Sequence, residues 1–167
     1  MKKQKSAFTL LEIMISIVLF ILVVSLCVKS STFLNRSILK SEIDKLYSAC
    51  MYLQRLAMVT NQNQILHIDT NKNRYLYNGK IEQLASPIIF GTVTGVKGPP
   101  STPTNNVTKP VTFKSQHISF KPNGILQPGT IYLCDKNKQY QYALTVPVSQ
   151  ISFLRKYCYD GSWKYLM

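Results

Sequence analysis

The 167-residue chain is short of acid: seven Asp and Glu stand against 20 Lys and Arg, a formal net charge of +13. It has two His, and no cluster of acidic residues accompanies them. These shortages leave little material for a catalytic or metal site. A cytosolic enzyme is disfavoured, and no catalytic residue, cofactor or metal ligand is expected. Seven Gly and eight Pro exclude a collagen-like or Pro/Gly-rich disordered chain. None of them falls between Met1 and Asn78, so nothing there breaks a helix. The four Cys form no C-x-x-C pair and no Cys/His cluster, which argues against a zinc site.

What is present first is a long apolar run. Residues 8–28 hold a single charge, Glu12. As a helix they span about 31 Å, the thickness of a bilayer's hydrocarbon core. Lys2, Lys3 and Lys5 precede the run and Lys29 follows it. A short basic leader stays cytoplasmic and the long remainder is exported. A secretory signal would have a shorter apolar region and a small-residue cleavage site after it. Here the small residues Ser6 and Ala7 stand before the run, so the helix is expected to be retained. Glu12 is costly inside such a helix unless it finds a partner. One reading is an interfacial carboxylate solvated by headgroups. The other is cleavage between Ala7 and Phe8, which creates a new α-amine that Glu12 of a neighbouring subunit can pair with.

Ala7-Phe8-Thr9-Leu10-Leu11-Glu12 resembles the signal of type IV pilins and type II secretion pseudopilins: a basic leader, a Gly, then Phe-Thr-Leu-Ile/Leu-Glu and an apolar helix. Ala7 stands where that family has Gly. The resemblance implies a prepilin peptidase that cuts after Ala7 and N-methylates Phe8. It implies an assembly role for Glu12, and partners in other filament subunits, the inner-membrane assembly platform and membrane lipid. It places the protein in the inner membrane, single-pass, with its C-terminal head in the periplasm.

Beyond Lys29 the pattern turns amphipathic. Leu39, Ile43, Leu46, Cys50, Leu53 and Ala57 recur at helical spacing. Lys40, Glu42, Asp44, Lys45 and Arg55 lie off that stripe, and Asn61-Gln62-Asn63 ends it. The stripe needs a cover; a separate coiled coil is the alternative to packing on the rest of the chain. After it the sequence reads as strands: 64–69, 74–77, then Asn78-Gly79 as a hairpin turn into 80–84, and 87–90. Residues 95–110 read as a long exposed loop. Strands resume at 111–113, 117–120, 131–134, 141–146 and 150–154. The fold class is thus α+β: leader 1–7, transmembrane helix 8–28, amphipathic helix 29–61 and a β-rich, mostly antiparallel head 62–167.

Ile118-Ser119-Phe120-Lys121-Pro122-Asn123-Gly124, then Ile131-Tyr132-Leu133-Cys134 and a strand before Val148-Ser149, resemble the C-terminal half of H-type minor pseudopilins and related minor pilins. Gln150 and Ile151 replace the usual Gly-Arg. That group ends in two small sheets packed on the helix. The implied function is structural, a minor pilin or pseudopilin of a type II secretion or type IV pilus filament serving protein secretion.

Cys27 and Cys50 read as small apolar residues. Cys134 and Cys158 lie in the exported part, where a bridge closing a loop of about 25 residues would be worth about 3 kcal/mol; two free thiols are the alternative. His67 and His117 alternate with apolar residues and read as solvent-face positions. The basic charge, 17 Lys and Arg against seven acids after the leader, is either a solvated surface or a DNA-binding one. The second reading makes this a minor pilin of a DNA-uptake pilus, using Arg155, Lys156, Trp163 and Lys164 for phosphate attraction and stacking. An aromatic edge strand explains the same residues. A third reading, a monomeric membrane-anchored binding protein, needs neither cleavage nor Glu12.

Overall fold

The computed structural model describes residues 9–99, 103–147 and 153–166, and their side chains except those of residues 26–33. Among the described residues one α-helix, α1 (Leu10–Thr60), is followed by nine strands. Asn61 closes the helix with a left-handed φ of 53°, a conformation Asn tolerates at a helix end. The chain divides into two compact units, ending and beginning at Leu34 and Asn35.

In the first unit the apolar side chains of α1 from Leu10 to Val24 are exposed on every side. A helix apolar all round belongs in a large core or a bilayer. Among the described residues no helix is long and apolar enough to cross a membrane. Of the expected span 8–28, residue 8 and the side chains of residues 26–28 lie outside the description.

In the second unit the helical stripe is covered. Leu39, Ile43, Leu46, Cys50, Leu53 and Ala57 are each fully buried. Two antiparallel sheets cover them, as the resemblance implies, so the coiled-coil alternative is not taken up. The first sheet runs β3 (Lys80–Gln83), β2 (Arg74–Tyr77), β1 (Gln64–Asp69), β5 (His117–Phe120). Its inner residues Leu66, Ile68, Tyr75, Ile118 and Phe120 join the helix in one core. Asn78 and Gly79 both take positive φ, as a two-residue hairpin turn requires. His67 and His117 sit opposite each other on the outer face of this sheet.

The second sheet runs β4 (Ile88–Phe90), β6 (Gly129–Asp135), β7 (Gln141–Val146), β8 (Arg155–Asp160), β9 (Ser162–Leu166). Its register settles which residues share a face. Leu133, Tyr142 and Cys158 lie side by side towards the helix, with Ile131, Leu144 and Lys156 in the next row. Tyr132, Ala143 and Tyr157 form a smaller cluster on the other face.

Three sequence expectations change, and a fourth point, left open above, takes one of its two alternatives. The loop 95–110 is exposed only in part: Val96 is buried, and the Val107 amide bonds back to the Val96 carbonyl. Lys97 and Val107 lie against the outer face of the second sheet. The strand expected at 111–113 is reduced to one bridge, Val111 to Ile131. A 3-10 turn at Lys114–Gln116 follows, where positive φ at Ser115 and Gln116 ends the extended chain. Of the strand expected at 150–154, residues 150–152 lie outside the described residues and Phe153 and Leu154 are not in a strand. The tail instead forms the hairpin β8–β9, turned at Gly161.

The fourth is the cysteine bridge. Cys134, Cys158 and Cys50 are all free thiols. β7 lies between β6 and β8, so the backbones carrying Cys134 and Cys158 are about 10 Å apart, beyond the roughly 7 Å a disulfide spans. Cys134 pairs with Gln141, and Gln141 with Tyr159, whereas Cys158 pairs with Tyr142. The two thiols therefore point to opposite faces of the sheet.

Because the helix stripe is the common floor of both sheets, Leu53→Ala should destabilise the head by about 2–5 kcal/mol. Ile81→Ala, at an exposed outer position of the first sheet, should change it by less than about 1 kcal/mol. Urea unfolding monitored by Trp163 fluorescence measures both; equal costs would contradict the assigned core.

Candidate functional site

Two regions hold the residues singled out by sequence. The first is the start of α1. Ala7 and Phe8 lie outside the described residues. Thr9 caps the helix: the Glu12 amide donates to the Thr9 carbonyl at 3.0 Å and reaches its hydroxyl at 3.4 Å. Thr9-Leu10-Leu11-Glu12 has the spacing of a capping box, which the sequence reading missed. A carboxylate in the first turn is also favoured by the helix dipole. Glu12 is exposed and forms no ion pair among the described residues. Its neighbours Leu11, Ile13, Ile15 and Ser16 are exposed too. The arrangement is a lone anion on an apolar rod.

The second region is the tail hairpin. Alternation along β8 and β9 sends its four candidate residues to different faces. Arg155 and Trp163 lie on the outer face. The Arg155 guanidinium stacks over Phe153 at 4.8 Å. Trp163 packs against Tyr132 and Tyr159, and its Nε1 donates to the Lys97 carbonyl at 2.7 Å. That bond fastens the 95–110 segment to the sheet, as does the Val93 amide donating to Gln141 Oε1 at 2.8 Å. Trp163 is thus engaged in the fold rather than presented as a stacking platform.

Lys156 and Lys164 lie on the helix-facing side. Lys156 Nζ donates to Asp44 Oδ1 at 2.6 Å and sits 4.9 Å above the centre of the Tyr47 ring. Its side chain is only 15% exposed. Lys164 pairs with Asp160 at 3.0 Å and draws that carboxyl below its ordinary value. The structure therefore does not gather the four residues into one basic surface. Asp44 and Tyr47, the partners of Lys156, looked like ordinary off-stripe helix residues in the sequence; the signal was their position one helical step from the buried stripe.

Between α1 and the β2–β3 hairpin runs a groove of about 1170 Å³, with Ser41, Ser48 and Tyr52 on the helix side and Tyr77 and Asn78 on the hairpin side. It holds no nucleophile–base pair. Among the described residues no group of three or more His, Cys, Asp and Glu could hold a metal ion. His67 and His117 face each other with ring centres 5.7 Å apart, and a carbonyl, that of Ser115, lies beside His117 Nδ1.

The family model described as type II transport protein GspH matches residues 42–150. That of the prokaryotic N-terminal methylation motif matches residues 2–28. No curated protein and no solved structure matches the chain.

Burial pushes the Cys50 thiol up to about 12, and burial, with the Asp135 charge second, pushes Cys134 up to about 11. Both are held as neutral thiols at neutral pH, and only the thiolate reacts. Iodoacetamide at pH 8 should therefore leave Cys50 and Cys134 unmodified in the folded chain. In denaturant without reductant, Cys134 and Cys158 should both be alkylated, as mass spectrometry of their peptides will show. A raised folded-state value means that stability is full below the ordinary thiol range and declines as pH rises through 11–12. A pair that resists alkylation until reduced would restore the bridge.

Proposed function

The chain belongs to the family of the type II transport protein GspH, the H-type pseudopilins of type II secretion, and from that membership we propose a life history for it. It is made as a prepilin with its head in the periplasm and residues 8–28 spanning the inner membrane. Prepilin peptidase removes residues 1–7 and methylates Phe8. The assembly platform then draws the subunit into a short periplasmic filament, where its head contacts other minor subunits. The family is structural rather than catalytic.

The observation that carries this reading is Glu12: an exposed carboxylate without an ion pair, set among exposed apolar side chains within the segment that matches the methylation motif. In a low-dielectric bundle such a charge demands a cation. The freed amine of a neighbour's Phe8 is the one that cleavage supplies. DNA uptake has no comparable observation, because its four residues divide between two faces of the sheet.

The capping box makes the test discriminating. Glu12→Gln keeps a side chain that can cap the helix but removes the charge. Both Glu12→Gln and Glu12→Val should be cleaved and inserted normally yet be absent from sheared filaments. Normal incorporation of the Gln variant would reduce Glu12 to a cap and remove its pairing role.

Cleavage has its own test. Ala7→Gly should be processed at least as fast as the wild type, and Ala7→Phe should not be processed, because a protease seating the junction at the membrane surface admits only a small side chain. N-terminal sequencing reads the outcome; an intact Met1 in the mature wild type would sink the prepilin reading.

A further inference from the structure

The charges of the head are unevenly matched. Glu42, Asp44, Asp69, Glu82 and Asp160 are each ion-paired within the head. Asp135, its remaining carboxylate, is fully buried and accepts the amides of Gln139 and Tyr140 through Oδ1. No side-chain carboxylate of the head is left over for the other lysines. Eight of these, Lys40, Lys72, Lys97, Lys109, Lys114, Lys121, Lys136 and Lys138, are exposed and form no ion pair among the described residues; Lys72, Lys136 and Lys138 lie in turns.

The fold brings those three to one end. Lys136 and Lys138 lie in the β6–β7 turn, and the Lys136 amide donates to the Pro87 carbonyl at 3.0 Å. The same β3–β4 connection is tied to the β1–β2 turn: the Leu84 amide donates to the Asn73 carbonyl at 2.9 Å, and Gln83 Nε2 to the Lys72 carbonyl at 3.0 Å. Arg36 marks which end this is. Its guanidinium lies 5.8 Å from the Tyr140 ring centre and donates to the Tyr142 hydroxyl. The three lysines thus cluster where the chain enters the head at Asn35. The opposite end is marked by Gln54, whose Nε2 donates to the Gly124 carbonyl beside Lys121.

We propose that this end of the head is a docking surface for the phosphate headgroups of anionic phospholipid, holding the stored subunit against the membrane until it is drawn into a filament. The inference rests on the membrane storage proposed above. The chemistry is charge without shape: three flexible ammonium groups on exposed turns, none of them ion-paired among the described residues, at the end where the chain enters the head. Basic side chains close to an anionic surface are attracted additively, and the attraction decays within a Debye length, about 8 Å at physiological salt. A neutral bilayer offers no such attraction.

The test uses the full chain in vesicles of phosphatidylcholine alone or with phosphatidylglycerol, reading amide hydrogen exchange in the two turns. At low salt, exchange at residues 71–73 and 136–139 should slow several-fold with phosphatidylglycerol and not without it. High salt should abolish the difference, and residues 121–124 should not respond. In the Lys72→Gln/Lys136→Gln/Lys138→Gln variant, whose changed side chains are exposed, the two vesicle types should give equal rates. Equal wild-type rates in vesicles with which the chain co-floats would overturn the docking surface while leaving the anchor. Slowing that persists in the triple variant would also overturn it. Protection by soluble polyglutamate but not by phosphatidylglycerol would assign the surface to an acidic polypeptide instead. Flotation with phosphatidylglycerol vesicles alone would keep the docking surface and overturn the anchor; flotation with neither would overturn both.

Discussion

The second half of α1 is the one surface both sheets share. Every residue of its stripe from Leu39 to Ala57 is buried, and each large one removed from water contributes about 1.5–3 kcal/mol. The other face of the second sheet carries a smaller apolar cluster, Tyr132, Ala143 and Tyr157. The first presents Leu66, Ile118 and Phe120 to the helix, the second Ile131, Leu133 and Leu144. Remove the stripe and the sheets keep their hydrogen bonds but lose the reason to be next to each other. Even the charges on the helix obey it. Asp44 sits just off the stripe and there meets Lys156, which the second sheet delivers from its inner face.

This dependence explains what could be read from the sequence and what could not. The stripe was legible because helical spacing is a local property of the chain. So were β1, β2, β5, β6 and β7, and the Asn78-Gly79 turn, whose two positive φ angles follow from residue type. Glu12 was legible as the one charge in an apolar run; the Thr9 cap on its amide was written in the same four residues and overlooked.

What stayed hidden depends on register and strand order, which no local pattern encodes. Insertion of β7 between β6 and β8 separates Cys134 from Cys158. Alternation along β8 turns Lys156 inwards beside Asp44 and leaves Arg155 outside, so a basic run in sequence is not a basic patch in space. The 95–110 segment, rich in Pro, Asn and Thr, has the composition of free loop. Bonds from Val93 to Gln141 and from Trp163 to Lys97 hold it on the sheet, and their partners lie far along the chain.

The two units also differ in how complete they are. In the head the apolar stripe is covered and all six carboxylates are engaged. In the first unit the apolar side chains from Leu10 to Val24 are exposed, and Glu12 forms no ion pair among the described residues. Burial of those side chains has to come from bilayer or from other chains, and the two environments treat Glu12 oppositely. In hydrocarbon, an ionised side chain costs about 2.5–3.5 kcal/mol at mid-depth on insertion scales, less near the interface. In a bundle that offers a cation the same charge is compensated and its hydrogen bonds are made. The apolar side chains gain little from the exchange, since lipid and protein are both dry. On the life history proposed above, the free-energy difference between the two environments therefore concentrates on one residue, Glu12.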